Sequence, residues 1–245
     1  MTDSHRSRLR VEPGAKRVRA YLAGHLVADT TRPVLVWEGP HYPTYYLPVA
    51  DVRTELLTAN DRTRRSPSRG EGRLHDLSVP GRTVPDAALR YPDSPVPELR
   101  DLVRLDWNAM DQWFEEDEEV FVHPRDPYTR VDVLASSRHV RVEVDGVLVA
   151  ESRAPRIVFE TGLPPRYYLP QTDVSLHLLE PSDTVTHCPY KGTARYVSAR
   201  LDGRTVEDIA WSYPTPLPES QKIAGLLSFY DSKAEVFVDG ELQGR

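Results

Sequence analysis

The chain has 245 residues, 39% hydrophobic and 28% charged, with a net charge of −6. That length accommodates one large or two ordinary domains with real cores, and the acidic balance argues against a general nucleic-acid binder. No apolar run approaches the roughly 20 residues of a membrane span, Met1 to Val11 lacks the apolar stretch of a secretory signal, and one cysteine permits neither an intrachain disulfide nor a zinc site of cysteine pairs. A reducing, cytoplasmic setting is therefore expected. The 22 prolines exceed the usual share of about 5% and favour turns over long helices.

In chain order, a basic start (Arg6, Arg8, Arg10, Lys16, Arg17, Arg19) leads into apolar-rich segments at 17–22 and 25–30 around Ala23-Gly24. A strand pattern follows at Val34 to Glu38, then a short aromatic strand, Thr44 to Leu47, ended by proline. A second basic run spans Arg62 to Arg73, and an acidic run spans Glu115 to Glu119; both read as solvated faces. Pro97 to Phe114 is the one plausible helix of the first half, since proline is well placed at a helix start. From residue 139 the same series begins again. An offset of 122 positions pairs Val18-Arg19 with Val140-Arg141, Tyr45-Tyr46-Leu47-Pro48 with Tyr167-Tyr168-Leu169-Pro170, and Gly81-Arg82-Thr83-Val84 with Gly203-Arg204-Thr205-Val206. One register held over that length means duplication. Two homologous, mainly β domains are expected, at 1–128 and 139–245, joined by a linker at 129–138. Asp145-Gly146, Asp202-Gly203 and Asp239-Gly240 are expected hairpin turns, Pro218 to Leu227 the second helix, and Glu119 to Val122 a closing strand equivalent to Glu235 to Val238.

The second copy carries Tyr168-Leu169-Pro170 with Asp173-Val174, then His187-Cys188-Pro189-Tyr190-Lys191-Gly192-Thr193-Ala194 and Tyr196, then Trp211-Ser212-Tyr213-Pro214 and Phe229-Tyr230. In these motifs it resembles the bacterial family known as domain of unknown function 427. The resemblance implies a small β-tent-like domain, similar to Mss4-like proteins and methionine sulfoxide reductase B, with no established activity; the one short helix per copy is the reading of the proline-led segments. The family's other label hints at nucleotidyl transfer. No glycine-rich phosphate loop or paired-carboxylate motif supports that here.

Through the motif the copies diverge. Opposite His187 to Gly192 the first copy reads Arg65-Ser66-Pro67-Ser68-Arg69-Gly70, and Trp211 is met by Leu89. The turn-forming proline and glycine remain while the thiol, phenol, imidazole and indole are gone, so the functional site is expected in the second copy. Its candidate ligand-binding residues are Arg166, Tyr168, His187, Tyr190, Lys191, Trp211 and Tyr213. Arg166 and Lys191 offer positive charge to an anion, and Trp211 and Tyr213 share a face for stacking on a planar ring. Cys188 is the candidate nucleophile, favoured if His187 or Lys191 lies close, although neighbours on an extended strand point to opposite sides. Asp173, matched by Asp51, reads as structural. No metal-ligand spacing and no cofactor motif occurs. Three readings remain open: a binding domain for a small planar or anionic molecule, an enzyme using Cys188 as nucleophile or redox thiol, and a structural or protein-interaction module. On the first, Lys191→Ala or Trp211→Ala should abolish binding and leave stability nearly unchanged.

Overall fold

The computed structural model describes residues 9–201 and 203–243; Arg6, Arg8 and Asp202 of the expected features lie outside them. The chain divides into two compact units, Met1–Asp126 and Pro127–Arg245. The first holds strands β1 Arg10–Pro13, β2 Val18–Leu22, β3 His25–Thr30, β4 Val34–Trp37, β5 Thr44–Pro48, β6 Leu57–Ser66, β7 Gly70–Val79, β8 Arg82–Arg90, β9 Leu102–Leu105, β10 Gln112–Glu115 and β11 Glu118–Glu119. The second holds β12 Val131–Ala135, β13 Val140–Val144, β14 Val147–Ser152, β15 Arg156–Glu160, β16 Arg166–Leu169, β17 Leu179–Cys188, β18 Gly192–Leu201, β19 Arg204–Ser212, β20 Leu227–Phe229, β21 Glu235–Val238 and β22 Glu241–Leu242.

Both units share one topology. A seven-stranded sheet runs β1-β4-β5-β9-β8-β7-β6 in the first and β12-β15-β16-β20-β19-β18-β17 in the second. A four-stranded sheet, β11-β10-β2-β3 or its counterpart β22-β21-β13-β14, faces it. Period-two alternation builds the space between them: Val18, Ala20 and Leu22 point inward from β2, and Val140, Val142 and Val144 from β13. The expected hairpin turns form where both central residues accept positive φ, as at Ala23-Gly24 (49° and 75°) and Asp145-Gly146 (50° and 80°).

Four expectations are corrected. Pro97 opens only the single 3₁₀ turn Pro97–Leu99, after which Leu102–Leu105 joins the sheet between β5 and β8. In the second unit the 3₁₀ turn Pro218–Ile223 stops ahead of Gly225 (φ 68°), and Leu227–Phe229 becomes β20. Burial of Leu102, Val103 and Leu105 against two neighbouring strands overrides the helical start signal. Residues 131–135, expected within the linker, are the edge strand β12, paired with β15 through five positions. The closing strand of the first unit is β10, at 112–115, not 119–122: Glu115 sits opposite Val18 as Val238 sits opposite Val140.

Features kept by both copies outside the motif are structural ties. Ser152 Oγ donates to Asp173 at 2.6 Å and Thr30 Oγ1 to Asp51 at 2.7 Å, pinning the turn after β16 or β5 to the end of β14 or β3. Asp86 and Asp208 adopt positive φ at matching bulges, their N–H groups donating to Asp76 and Ser198.

Candidate functional site

The Cys188-to-Gly192 stretch is a hairpin end. Cys188 closes β17 opposite Gly192, which opens β18 at φ 99°. The turn between them anchors the 214–223 segment: Leu217 N–H donates to the Lys191 carbonyl at 3.1 Å, and Ser220 Oγ to the Tyr190 carbonyl at 3.4 Å. The first unit keeps this device, with Ser94 Oγ donating to the Arg69 carbonyl at 2.8 Å.

Alternation along β17 separates imidazole from thiol. Cys188 is half-buried against the cluster containing Tyr168, Tyr196, Trp211 and Tyr213. His187 is exposed on the opposite face, where Nδ1 meets Thr193 Oγ1 at 3.1 Å. Lys191 is not a free point charge: it is buried and ion-paired with Glu160, each side chain only 11% exposed. Arg69 and Glu38 form the equivalent pair at 3.6 Å in the first unit, so the two copies preserve this charge geometry with different cations.

Trp211 lies in register with Ser228 of β20, which lies in register with Tyr168 of β16. The indole is 7% exposed, and its Nε1–H donates to Tyr168 Oη at 3.0 Å across an edge-on ring contact. Tyr213 is 5% exposed. Burial pushes the Tyr168 and Tyr213 phenols above their ordinary pKa, and pushes Tyr230 up to about 12 with help from its hydrogen bond to Tyr196. Tyr168, Trp211 and Tyr213 are therefore packed core, and Lys191 and Trp211 cannot be truncated without a stability cost. That corrects the expectation of nearly unchanged stability.

The same row in the first unit reads Tyr46, Arg104, Leu89. A tryptophan and a serine have been exchanged for a leucine and an arginine at adjoining positions, a swap that conserves bulk across the pair. The Arg104 guanidinium turns toward two carboxylates, with Nε 3.2 Å from Glu38 and Nη1 3.5 Å from Asp106.

Among the candidates, Arg166 borders an open space. A cavity of about 320 Å³ lies between the sheets of the second unit, walled by Val140, Val142, Leu169, Phe229 and Val236. Arg166 stands at its edge, Nη1 3.0 Å from Asp231 and the guanidinium 6.0 Å from the Trp211 ring centre. Tyr168, His187, Cys188, Tyr190, Lys191, Trp211 and Tyr213 do not line it. Among the described residues, no group of three or more His, Cys, Asp or Glu side chains is placed to hold a metal. No helix among them is long and apolar enough to cross a membrane.

Residues 10–116 and 132–240 each match the family NTP_transf_9, described as a domain of unknown function, DUF427. The chain belongs to that family. It holds two tandem DUF427 domains, as the 122-residue offset requires. No curated protein matches the chain. Motif reasoning missed the parts of these DUF427 domains that carry no motif. Glu160, the partner of Lys191, and Asp231, the partner of Arg166, are distant in sequence from the residues they neutralise. Trp107 and Trp113 belong to no part of the motif, although two tryptophans six apart beside Arg104 are a legible signal.

Proposed function

We propose that the protein binds a small molecule in the cleft between the sheets of its second unit: a compact, mainly apolar, flat molecule carrying one carboxylate or comparable acceptor group. The observation that supports this is the cavity of about 320 Å³ with aliphatic and aromatic walls and one arginine at its edge. Cavities of roughly 300–1,000 Å³ with apolar lining and a few placed polar groups are the usual form of a small-molecule site. Arg166 carries five N–H donors in a planar fork, of which Nη1 meets Asp231 at 3.0 Å. A carboxylate can share that fork while the remainder of the molecule lies against Phe229 and Leu169. The anion-reading role expected of Lys191 passes to Arg166, because Arg166 borders the cavity whereas Lys191, buried against Glu160, does not.

Benzoate is a suitable first probe. Titrated into the full chain, it should perturb resonances of Phe229 and Val236 saturably and raise the unfolding temperature in proportion to its occupancy. Arg166→Leu should weaken binding by about tenfold or more, the value of a lost charge-assisted hydrogen bond. Binding of equal strength to Arg166→Leu, or perturbation confined to Lys191 and Tyr190, would remove this reading.

A further inference from the structure

The duplication places a second cavity, of about 400 Å³, at the corresponding position between the sheets of the first unit. Its walls differ in kind. Trp107 stands where the second unit has Asp231, Trp113 where it has Val236, and Tyr42 where it has Pro164. Trp107 and Trp113 stack with ring centres 4.9 Å apart and planes 3° from parallel, and Tyr45 leans on both at 6.3 and 5.8 Å. Across the opening, His123 stacks on Tyr42 at 3.9 Å and 7°. Gly39-Pro40 and Pro43 stiffen the loop that carries Tyr42.

A polar edge runs beside these rings. Arg104 lies between Glu38 and Asp106, and Arg69 faces Glu38 from behind. Two carboxylates and two guanidiniums balance formally. A ligand ion of either sign entering here would meet a like charge as well as an opposite one. A neutral molecule with donors and acceptors on its rim meets only complementary partners. Trp107 lines the same cavity as this polar edge.

We infer that the first unit is a second ligand site, which takes a flat, uncharged heteroaromatic ring stacked against the Trp107 face, its rim read by Glu38, Arg104 and Asp106. The site does not depend on the benzoate-type pocket of the second unit, and it departs from the expectation of a functional site in the second copy only. Aromatic rings stack favourably on aromatic faces without requiring ligand charge.

The test uses the full chain with caffeine and adenine as probes, benzoate and tetramethylammonium as charged controls, and ligand-observed saturation-transfer NMR as readout. Caffeine or adenine should bind saturably and more tightly than tetramethylammonium. Trp107→Leu should weaken binding by about tenfold or more, the equivalent of losing one stacked ring contact. Asp106→Asn, which leaves the aromatic walls intact, should change the preference between caffeine, which has no N–H donor, and adenine, which has several; it stands in should Trp107→Leu fail to fold. Arg166→Leu should leave both probes unaffected while weakening benzoate binding by about tenfold or more, so the two sites fail or succeed separately. Absence of saturable binding of either ring up to about 10 mM, undiminished binding to Trp107→Leu, unchanged ring preference in Asp106→Asn, or loss on Arg166→Leu would each overturn the proposal.

Discussion

The two units share every strand pairing that defines their sheets, and both pack tyrosines on the outer face of the seven-stranded sheet, yet Trp211 of the second unit and Trp107 and Trp113 of the first lie on opposite sides of it. In the second unit the indole of Trp211 is packed on the outer face beside Tyr168 and Tyr213, and the cleft between the sheets is edged by the Arg166–Asp231 pair. In the first, Leu89 takes the position of Trp211, and Trp107 and Trp113 line the inter-sheet cleft instead. Duplicated scaffolds diverge here by moving bulk and charge between adjoining positions. A motif that is chemically rich in sequence can accordingly be framework in one copy, while an undistinguished stretch of the other builds the more elaborate cavity.

The sharpest way to break this comparison is the row that carries the exchange. Trp211→Ala removes a buried indole and leaves Tyr168 Oη without its donor, which should cost the second unit about 4 kcal/mol. Trp211→Leu alone should also destabilise it, because Ser228 supplies no bulk and its buried Oγ has no hydrogen-bond partner among the described residues. Trp211→Leu combined with Ser228→Arg recreates the pair found in the first unit. If the exchange is compensatory, the double variant is more stable than the two single losses sum to, with a coupling of about 1–2 kcal/mol. Additive losses in urea unfolding would show that the two rows merely differ.

Next in size is the ion pair that both copies keep. Lys191→Ala leaves the Glu160 carboxylate buried with its cation gone, and removal of one partner of a buried pair typically costs about 3 kcal/mol. Lys191→Arg should recover all but about 1 kcal/mol, since Arg69 occupies the matching position beside Glu38. A Lys191→Ala chain as stable as the parent would return this lysine to the role of a free anion-binding charge.

Much of the fold was legible because duplication is a long-range signal. One offset fixed the number of domains, and strand alternation with Asp-Gly turns identified most strands. The helices were misread because Pro97 and Pro218 are sound local start signals, and nothing local reveals that Leu102–Leu105 is buried between two strands. The site was partly legible for the same reason. Side-chain type marked Arg166, Lys191 and Trp211 as notable, but whether each faces a cavity, a counter-ion or a core depends on Asp231, Glu160 and Tyr168, which only tertiary structure brings near.

The smallest expected effect concerns alkaline pH, where the phenols report the same asymmetry. Burial raises the folded-state pKa of Tyr168 and Tyr213, and its counterpart in the first unit, Tyr46, is raised by burial and then by the Glu38 charge. A tyrosine is neutral while protonated, so a raised folded pKa means that the native state holds its proton after the unfolded chain has released it. The stabilisation is complete below the unfolded value of about 10 and is lost as pH climbs toward the folded value, by up to about 1.4 kcal/mol per pH unit for each fully buried phenol. Both units should therefore weaken above pH 10. Tyr230, raised to about 12 by burial and by its bond to Tyr196, stands where the first unit has Asp106, so its share of the loss belongs to the second unit alone. Urea midpoints between pH 9 and 11.5 should fall less steeply for Tyr230→Phe than for the parent chain, and Asp106→Asn should leave the slope unchanged. Identical slopes for parent and Tyr230→Phe would mean that this phenol titrates alike in the folded and unfolded chain, and the electrostatic side of the contrast between the units would fall away.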